Sequence, residues 1–200
     1  LPHICENIHF RAKTIGDATA SKMVDTFVGC SSKVRDSKYD LNKVIQELKK
    51  INPPDDMFEQ NFKNKSFQNA IATYALSKIE NNYLKKIPPS KVVVTGGMDG
   101  LSLEQILPQN PSKEWKEEWE KISGAEIEQY KNRIGNLTLL KNRINGKLQD
   151  AIFDKKKSQY AHEDIEITRE LAKRMKWDKE EIEDRSEFLA SYAVEIWSLP

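Results

Sequence analysis

Glu104, Gln105, Asn136 and Asn145 are the residues whose types could act together on a phosphate ester. A carboxylate and an amide carbonyl are hard oxygen ligands, suited to Mg²⁺ or Mn²⁺ and poor for zinc. One such cation can hold a phosphodiester oxygen and stabilise charge on the leaving oxygen. Arg133, Lys141, Arg143, Lys147 and Lys156 would then hold the flanking phosphates. The same amides also have ordinary structural readings: Asn136 bonding backbone at a strand start, Asn145 capping or ending a helix. By residue type and spacing alone, both readings stand.

The elements that must position these groups follow from pattern. "LSLEQILPQNP" (101–111) reads as a strand over 101–106, with Glu104 near its end, and then a turn held by Pro108 and Pro111. "KVVVTGGMDG" (91–100) reads as a strand and a glycine loop. It lacks the GxxxxGK[ST] arrangement of a phosphate loop, and no nucleotide site is visible. "SKEWKEEWEKI" (112–122) is a helix capped by Ser112, with Trp115, Trp119 and Ile122 on one face as a core stripe rather than a base-stacking platform. A short helix (125–132) leads to "IGNLTLL", where Leu137, Thr138 and Leu139 suit a strand over 136–140 and Gly135 its tight entry. "KNRINGKL" is helical.

Upstream, a helix starts near Asp17, and Asp40 caps another running to Lys50. Ser66 caps a longer one to about Lys86, whose buried stripe is Phe67, Ala70, Ile71, Tyr74, Ala75 and Ile79. The last third forms two helices. In the second, Asp178 and Glu181 make a capping-box-like start, and Ile182, Phe188, Leu189, Tyr192, Ala193, Ile196 and Trp197 face inward. The fold class is mainly α with a small β component near 91–106 and 136–140.

Composition narrows the function classes. A net charge of +1 argues against a protein that coats nucleic acid generally. Its distribution is uneven: eight Lys/Arg against two Asp over 131–157, beside eight Asp/Glu against three Lys over 99–130. That contrast suits a solvated surface, or a phosphate-binding face next to a metal site. No apolar run approaches the roughly 18 residues of a membrane span, and no signal-peptide pattern heads the chain. It opens on Leu1, which leaves open a longer parent. Cys5 and Cys30 read as thiols in a reducing compartment and cannot form a four-cysteine zinc site.

"LSLEQILPQNP…W", "RIGNLTLL…N", "F..K…Y" and the closing "W…I..R…LA..A..IW" together resemble the C-terminal nuclease domain of the GmrSD-type restriction endonucleases. The likeness covers about 101–197, and "ATYALSKIE" (72–80) extends it more weakly upstream. That family cleaves modified phage DNA and belongs to the HNH, or ββα-metal, nucleases. The resemblance implies a helical domain embedding a ββα-metal finger (about 101–150), within a nuclease domain of 91–200 whose C-terminal helices span about 155–197. Residues 1–90 would be an N-terminal helical region packing on it. Glu104 would bind or orient a single Mg²⁺ or Mn²⁺, and Asn145 would be its second ligand. Asn136 would fix the loop and orient the base, and Lys156 would contact phosphate. Trp177, Ile182, Arg185 and Trp197 match structural positions. The implied partners are double-stranded DNA, and an N-terminal NTP-dependent domain or subunit, in a bacterial cytoplasm.

Two positions depart from the family pattern. Asp150 stands where members commonly have Asn. Gln105 stands where they have the catalytic His, and an amide has no usable pKa for taking a proton from water. His3, His9 and His162 are the histidines present, and a surface role suits His162 better than rescue of the base. The resemblance therefore leads to a DNA endonuclease domain inactivated or slowed at Gln105. The competing readings are a DNA-binding module that keeps the scaffold and a helical protein-interaction module.

Overall fold

In the computed structural model, residues 2–86, 100–119 and 124–200 are described. The strand expected over 91–99 lies outside them. The chain divides into two compact units: residues 1–62 with 197–200, and residues 63–196. The boundary expected at residue 90 thus falls at 62/63 instead, because the helix before the glycine loop belongs to the second unit. Among the described residues no helix is long and apolar enough to cross a membrane.

The first unit is helical: α1 (Pro2–Ile8), a π-helical turn (His9–Ile15), α2 (Ala20–Arg35), α3 (Leu41–Lys49) and most of α4 (Asp55–Asn64). Thr19 caps α2 and Asp40 caps α3, each accepting from the backbone N–H three residues on. Neither α1 nor α4 is among the helices read from the sequence. Both form because they carry Ile8, Phe58 and Phe62 into the interior. Phe10 stacks on Trp197 at 4.1 Å, with Phe58 and Phe62 around them. Trp197 therefore belongs to this cluster rather than to the inward face of the last helix. Cys5 and Cys30 are free thiols. Arg11 is buried, its guanidinium 4.3 Å over the Phe58 ring and bonded to Asn52, Pro53 and Asp55.

The second unit is built on β1 (Leu101–Gln105) and β2 (Leu137–Lys141), paired antiparallel with Gln105 opposite Leu137 and Leu101 opposite Lys141. Helix α8 (Asn142–Leu148) follows β2 without a loop. Around this hairpin-like core pack α5 (Asn69–Lys86), α6 (Lys113–Glu118), α7 (Gly124–Lys131), α9 (Phe153–Tyr160), the single turn α10 (Glu166–Arg169) and α11 (Lys179–Ile196). The core joins Ile106, Leu107, Trp115, Trp119, Tyr130, Leu140, Phe153, Tyr160 and Trp177. The tryptophan pair is thus a core stripe.

Several helix faces differ from those read off the sequence. α5 starts at Asn69 rather than at Ser66, because Ser66 is held in a bridge to Arg133 and the Phe67 N–H donates to the Asn132 carbonyl. Its buried stripe is Ala72, Ala75, Leu76 and Ile79, and Ala70 is exposed. In α11 the buried face is Ile182, Arg185, Ser186, Leu189, Ala190 and Ala193, a 3–4 repeat. Phe188 and Tyr192 lie off that stripe and pair edge-on with each other. The last third holds α9, α10 and α11 rather than two helices.

Gly135 is required by close approach. A Cβ there would sit 2.1 Å from the Ile182 carbonyl oxygen and 2.4 Å from Ser186 Oγ. Arg185 uses that proximity, donating from Nη1 to the carbonyls of Gly135 (2.6 Å) and Leu137 (2.7 Å). Burial brings its pKa down to about 9, which still leaves it charged near neutrality.

A buried carboxyl ties α5 to the turn before α11. Glu80 accepts the backbone N–H groups of Glu166 (2.8 Å) and Ile167 (3.0 Å), two donors that open α10. Burial raises its pKa from 4.5 to about 7 against those bonds and the pull of Arg169. The folded state then holds a proton at Glu80 at pH values where the unfolded chain has lost it. Stability from this group is full below about 4.5 and is lost as pH rises through 7. Relative to Glu80→Gln, the parent should lose roughly 2 kcal/mol between pH 5 and pH 8 in urea unfolding. Parallel curves for the two proteins would contradict this.

A candidate nuclease cleft at the strand–helix junction

The ends of β1 and α8 border an open cleft of about 580 Å³. Glu104, Gln105, Asn132, Asn145, Gln149 and Asp150 are among its lining residues. The antiparallel register brings Gln105 level with Leu137, and the immediate start of α8 after Lys141 returns Asn145 to β1. Three of the four residues singled out by type therefore meet at one cleft.

Asn136, the fourth, lies beneath it. It is fully buried and its amide is saturated. Nδ2 donates to the carbonyls of Leu107 and Lys131 at 2.9 Å each, and Oδ1 accepts from the Leu107 N–H (2.8 Å) and Trp177 Nε1 (3.0 Å). No lone pair of conventional geometry is left over, so Asn136 holds the loop after β1 and touches nothing in the cleft.

Asn145 is fixed by its nitrogen. Nδ2 donates to Ser102 Oγ (2.9 Å) and the Leu103 carbonyl (3.0 Å), which leaves Oδ1 on the other side of the amide as an acceptor. Gln105 is also held through nitrogen: Nε2 donates to Asn132 Oδ1 (2.9 Å), Gln109 Oε1 (3.1 Å) and the Lys131 carbonyl (3.4 Å). Its Oε1 can accept from a water but cannot take its proton.

Glu104 is buried, and both of its side-chain bonds fall on Oε1. Lys156 Nζ donates at 2.7 Å and Tyr160 Oη at 3.0 Å. Lys156 is itself fully buried and also donates to the Gln105 carbonyl at 2.9 Å. Burial holds the Glu104 carboxyl above its usual range although Lys156 pulls it down, and holds Lys156 below its own. The expectation that Lys156 reaches a DNA phosphate is therefore corrected: its ammonium is spent inside the protein on the carboxylate and a β1 carbonyl. Periodicity could have found this, since Phe153, Lys156 and Tyr160 share one face of α9.

The other cations divide. Arg133 stacks on Tyr130 (4.3 Å) near Glu183, and Lys141 pairs with Asp164 at 2.7 Å. Arg143 and Lys147 are exposed on α8. Among the described residues no group of three or more His, Cys, Asp and Glu is arranged to hold a metal ion. No histidine lines the cleft, and His162 is on the surface. Sequence reasoning missed two participants, Tyr160 on Glu104 and Asn132 on Gln105.

Breaking the Glu104–Lys156 pair from one side leaves a buried charge alone, at a cost of about 3–5 kcal/mol. Glu104→Gln and Lys156→Met should each lower stability by that order in urea unfolding. The double variant should lose clearly less than the sum. Additive losses would show that the two groups do not depend on each other.

A search of curated proteins finds no match to this chain. A family model described as "GmrSD restriction endonucleases, C-terminal domain" matches residues 52–192, which takes in β1, β2, α8 and the whole cleft lining. A restriction endonuclease domain has DNA as its substrate class. Seventy per cent of the chain lies within the match, so this protein belongs to the GmrSD C-terminal domain family and is a restriction-endonuclease-related nuclease domain.

Proposed function

We propose that the cleft is a metal-dependent phosphodiesterase site for double-stranded DNA, an HNH-type ββα-metal finger with its proton acceptor replaced by Gln105. The observation that carries the reading is the order β1, antiparallel β2, then α8 with no intervening loop, which gathers Glu104, Gln105 and Asn145 at one opening. The donor set fits a single Mg²⁺ or Mn²⁺. Asn145 Oδ1 is oriented by its own NH₂ group, and Glu104 keeps a second carboxylate oxygen beyond the one bonded to Lys156 and Tyr160. A bound cation would supply charge stabilisation at the phosphate and the leaving oxygen.

The protein's own residues supply position. Asn136 fixes the loop that follows β1, and Lys156 ties the carboxylate of Glu104 to the backbone of Gln105. Gln105 Oε1 can orient a water without activating it. Arg143 and Lys147 are the exposed cations from which a phosphate backbone could be held. Modified phage DNA as target and an NTP-dependent partner domain belong to the same proposal. A second reading, DNA binding without cleavage, is supported by the Lys156 ammonium, a cation already seated on Glu104.

Plasmid nicking in Mg²⁺ or Mn²⁺ separates the two. The Gln105→His variant should cut at least about 10²-fold faster than the parent. Equal rates would remove Gln105 from the proton-accepting position. If neither protein cuts while both bind DNA, the binding-module reading takes its place. Arg143→Glu with Lys147→Glu should weaken DNA binding and lower the salt slope by about 2. An unchanged slope would remove α8 from the DNA face.

A further inference from the structure

We propose that Asp150 is the group that takes the proton from the attacking water in this chain, a role that rests on the phosphodiesterase reading above. The lining of the cleft carries the argument. Its amides, Gln105, Asn132, Asn145 and Gln149 among them, can orient water but cannot accept a proton. Its carboxylates are Glu104 and Asp150. Glu104 is committed, because one oxygen receives both the Lys156 ammonium and the Tyr160 hydroxyl and the other is the one the phosphodiesterase reading gives to the cation. The Asp150 carboxylate is exposed and makes no hydrogen bond or ion pair within the described protein.

Its position is nevertheless fixed. Trp115, wholly buried, donates from Nε1 to the carbonyls of both Asp150 (3.2 Å) and Ala151 (3.0 Å). Gln149, just before it, takes φ +38°, a conformation that costs a non-glycine residue about 1–3 kcal/mol and is kept only where the surroundings enforce it. A core tryptophan and a strained turn thus present a free carboxylate to the opening where Gln105 stands. Asp150 lines the same cleft as Glu104 and Gln105.

The step balances as ordinary hydrolysis. The water oxygen forms the new bond to phosphorus while its proton passes to an Asp150 oxygen. The P–O ester bond breaks, its electron pair leaves on the alcohol oxygen, and that oxygen takes a proton from solvent. Asp150 then returns its proton to solvent.

The test compares Asp150→Asn in the parent and in Gln105→His, by plasmid nicking in Mn²⁺ with Mn²⁺ calorimetry and thermal melting alongside. In the parent, residual cutting should fall about 10²-fold, with Mn²⁺ affinity and melting temperature kept. In the Gln105→His background the loss should be at least tenfold smaller, because a second acceptor is present. An equal loss in both backgrounds, no loss in the parent, or a loss of Mn²⁺ affinity would overturn the assignment. If Gln105→His cuts and the parent does not, Asp150 is not the acceptor and the phosphodiesterase reading stands. If neither cuts and neither binds Mn²⁺, that reading fails and this one with it.

Discussion

Four hydrogen bonds on one buried side chain set the geometry of the cleft. Asn136 reaches both the N–H and the carbonyl of Leu107, the carbonyl of Lys131 and the indole of Trp177. Those contacts join the exit of β1, the end of α7 and the loop before α11 at a single amide. An amide offers two donors and two acceptor sites, and this one uses all four in the interior. Any other side chain would leave buried backbone groups unpaired, at about 1–3 kcal/mol each. Gln105 and Asn132, which meet at the rim of the cleft, are both attached to segments that Asn136 holds.

Charge is handled as tightly as hydrogen bonding. Beneath the cleft, Glu104 and Lys156 are both out of water, and each is tolerable only because of the other. The pair, with Tyr160, clamps α9 against β1, so that Glu104 lines the cleft together with neutral amides and the exposed Asp150. Such an arrangement gives a polar cleft with little repulsion for a phosphate, while the free cations stand on α8 outside it. Gly135 and Arg185 repeat the theme at the back of β2, where a missing side chain admits α11 and a guanidinium satisfies the exposed carbonyls.

Much of this was legible in the sequence, for physical reasons that differ by element. β1 and β2 are legible because their signals are local: strand-forming residues ended by proline or asparagine; for other helices the caps stand at fixed offsets. Asp40, Ser112 and Asp178 cap as their spacing says. Helices α1 and α4 escape the sequence reading because their burial is set by residues distant in the chain: Val44 and Leu48 for Ile8, and Trp197 for Phe62. The start of α5 was misplaced because the Ser66–Arg133 bridge overrides the capping preference of a serine. Among site residues, types and spacing brought Glu104, Gln105 and Asn145 together, but not their partners. That Lys156 would turn inward was concealed by a run of three lysines, of which Lys155 and Lys157 keep to the surface side. Asp150 drew notice only as a departure from the family pattern, since exposure of one carboxylate to a cleft is a tertiary property.

The central claim is that this cleft receives a divalent cation. The most direct measurement is paramagnetic broadening of side-chain amide signals by substoichiometric Mn²⁺ in a ¹⁵N-labelled sample. The NH₂ resonances of Asn145, Asn132, Gln105 and Gln149, which line the cleft, should broaden first. Broadening that spares the cleft amides, or that follows the acidic start of α4 at Asp55 and Asp56 instead, would contradict the account.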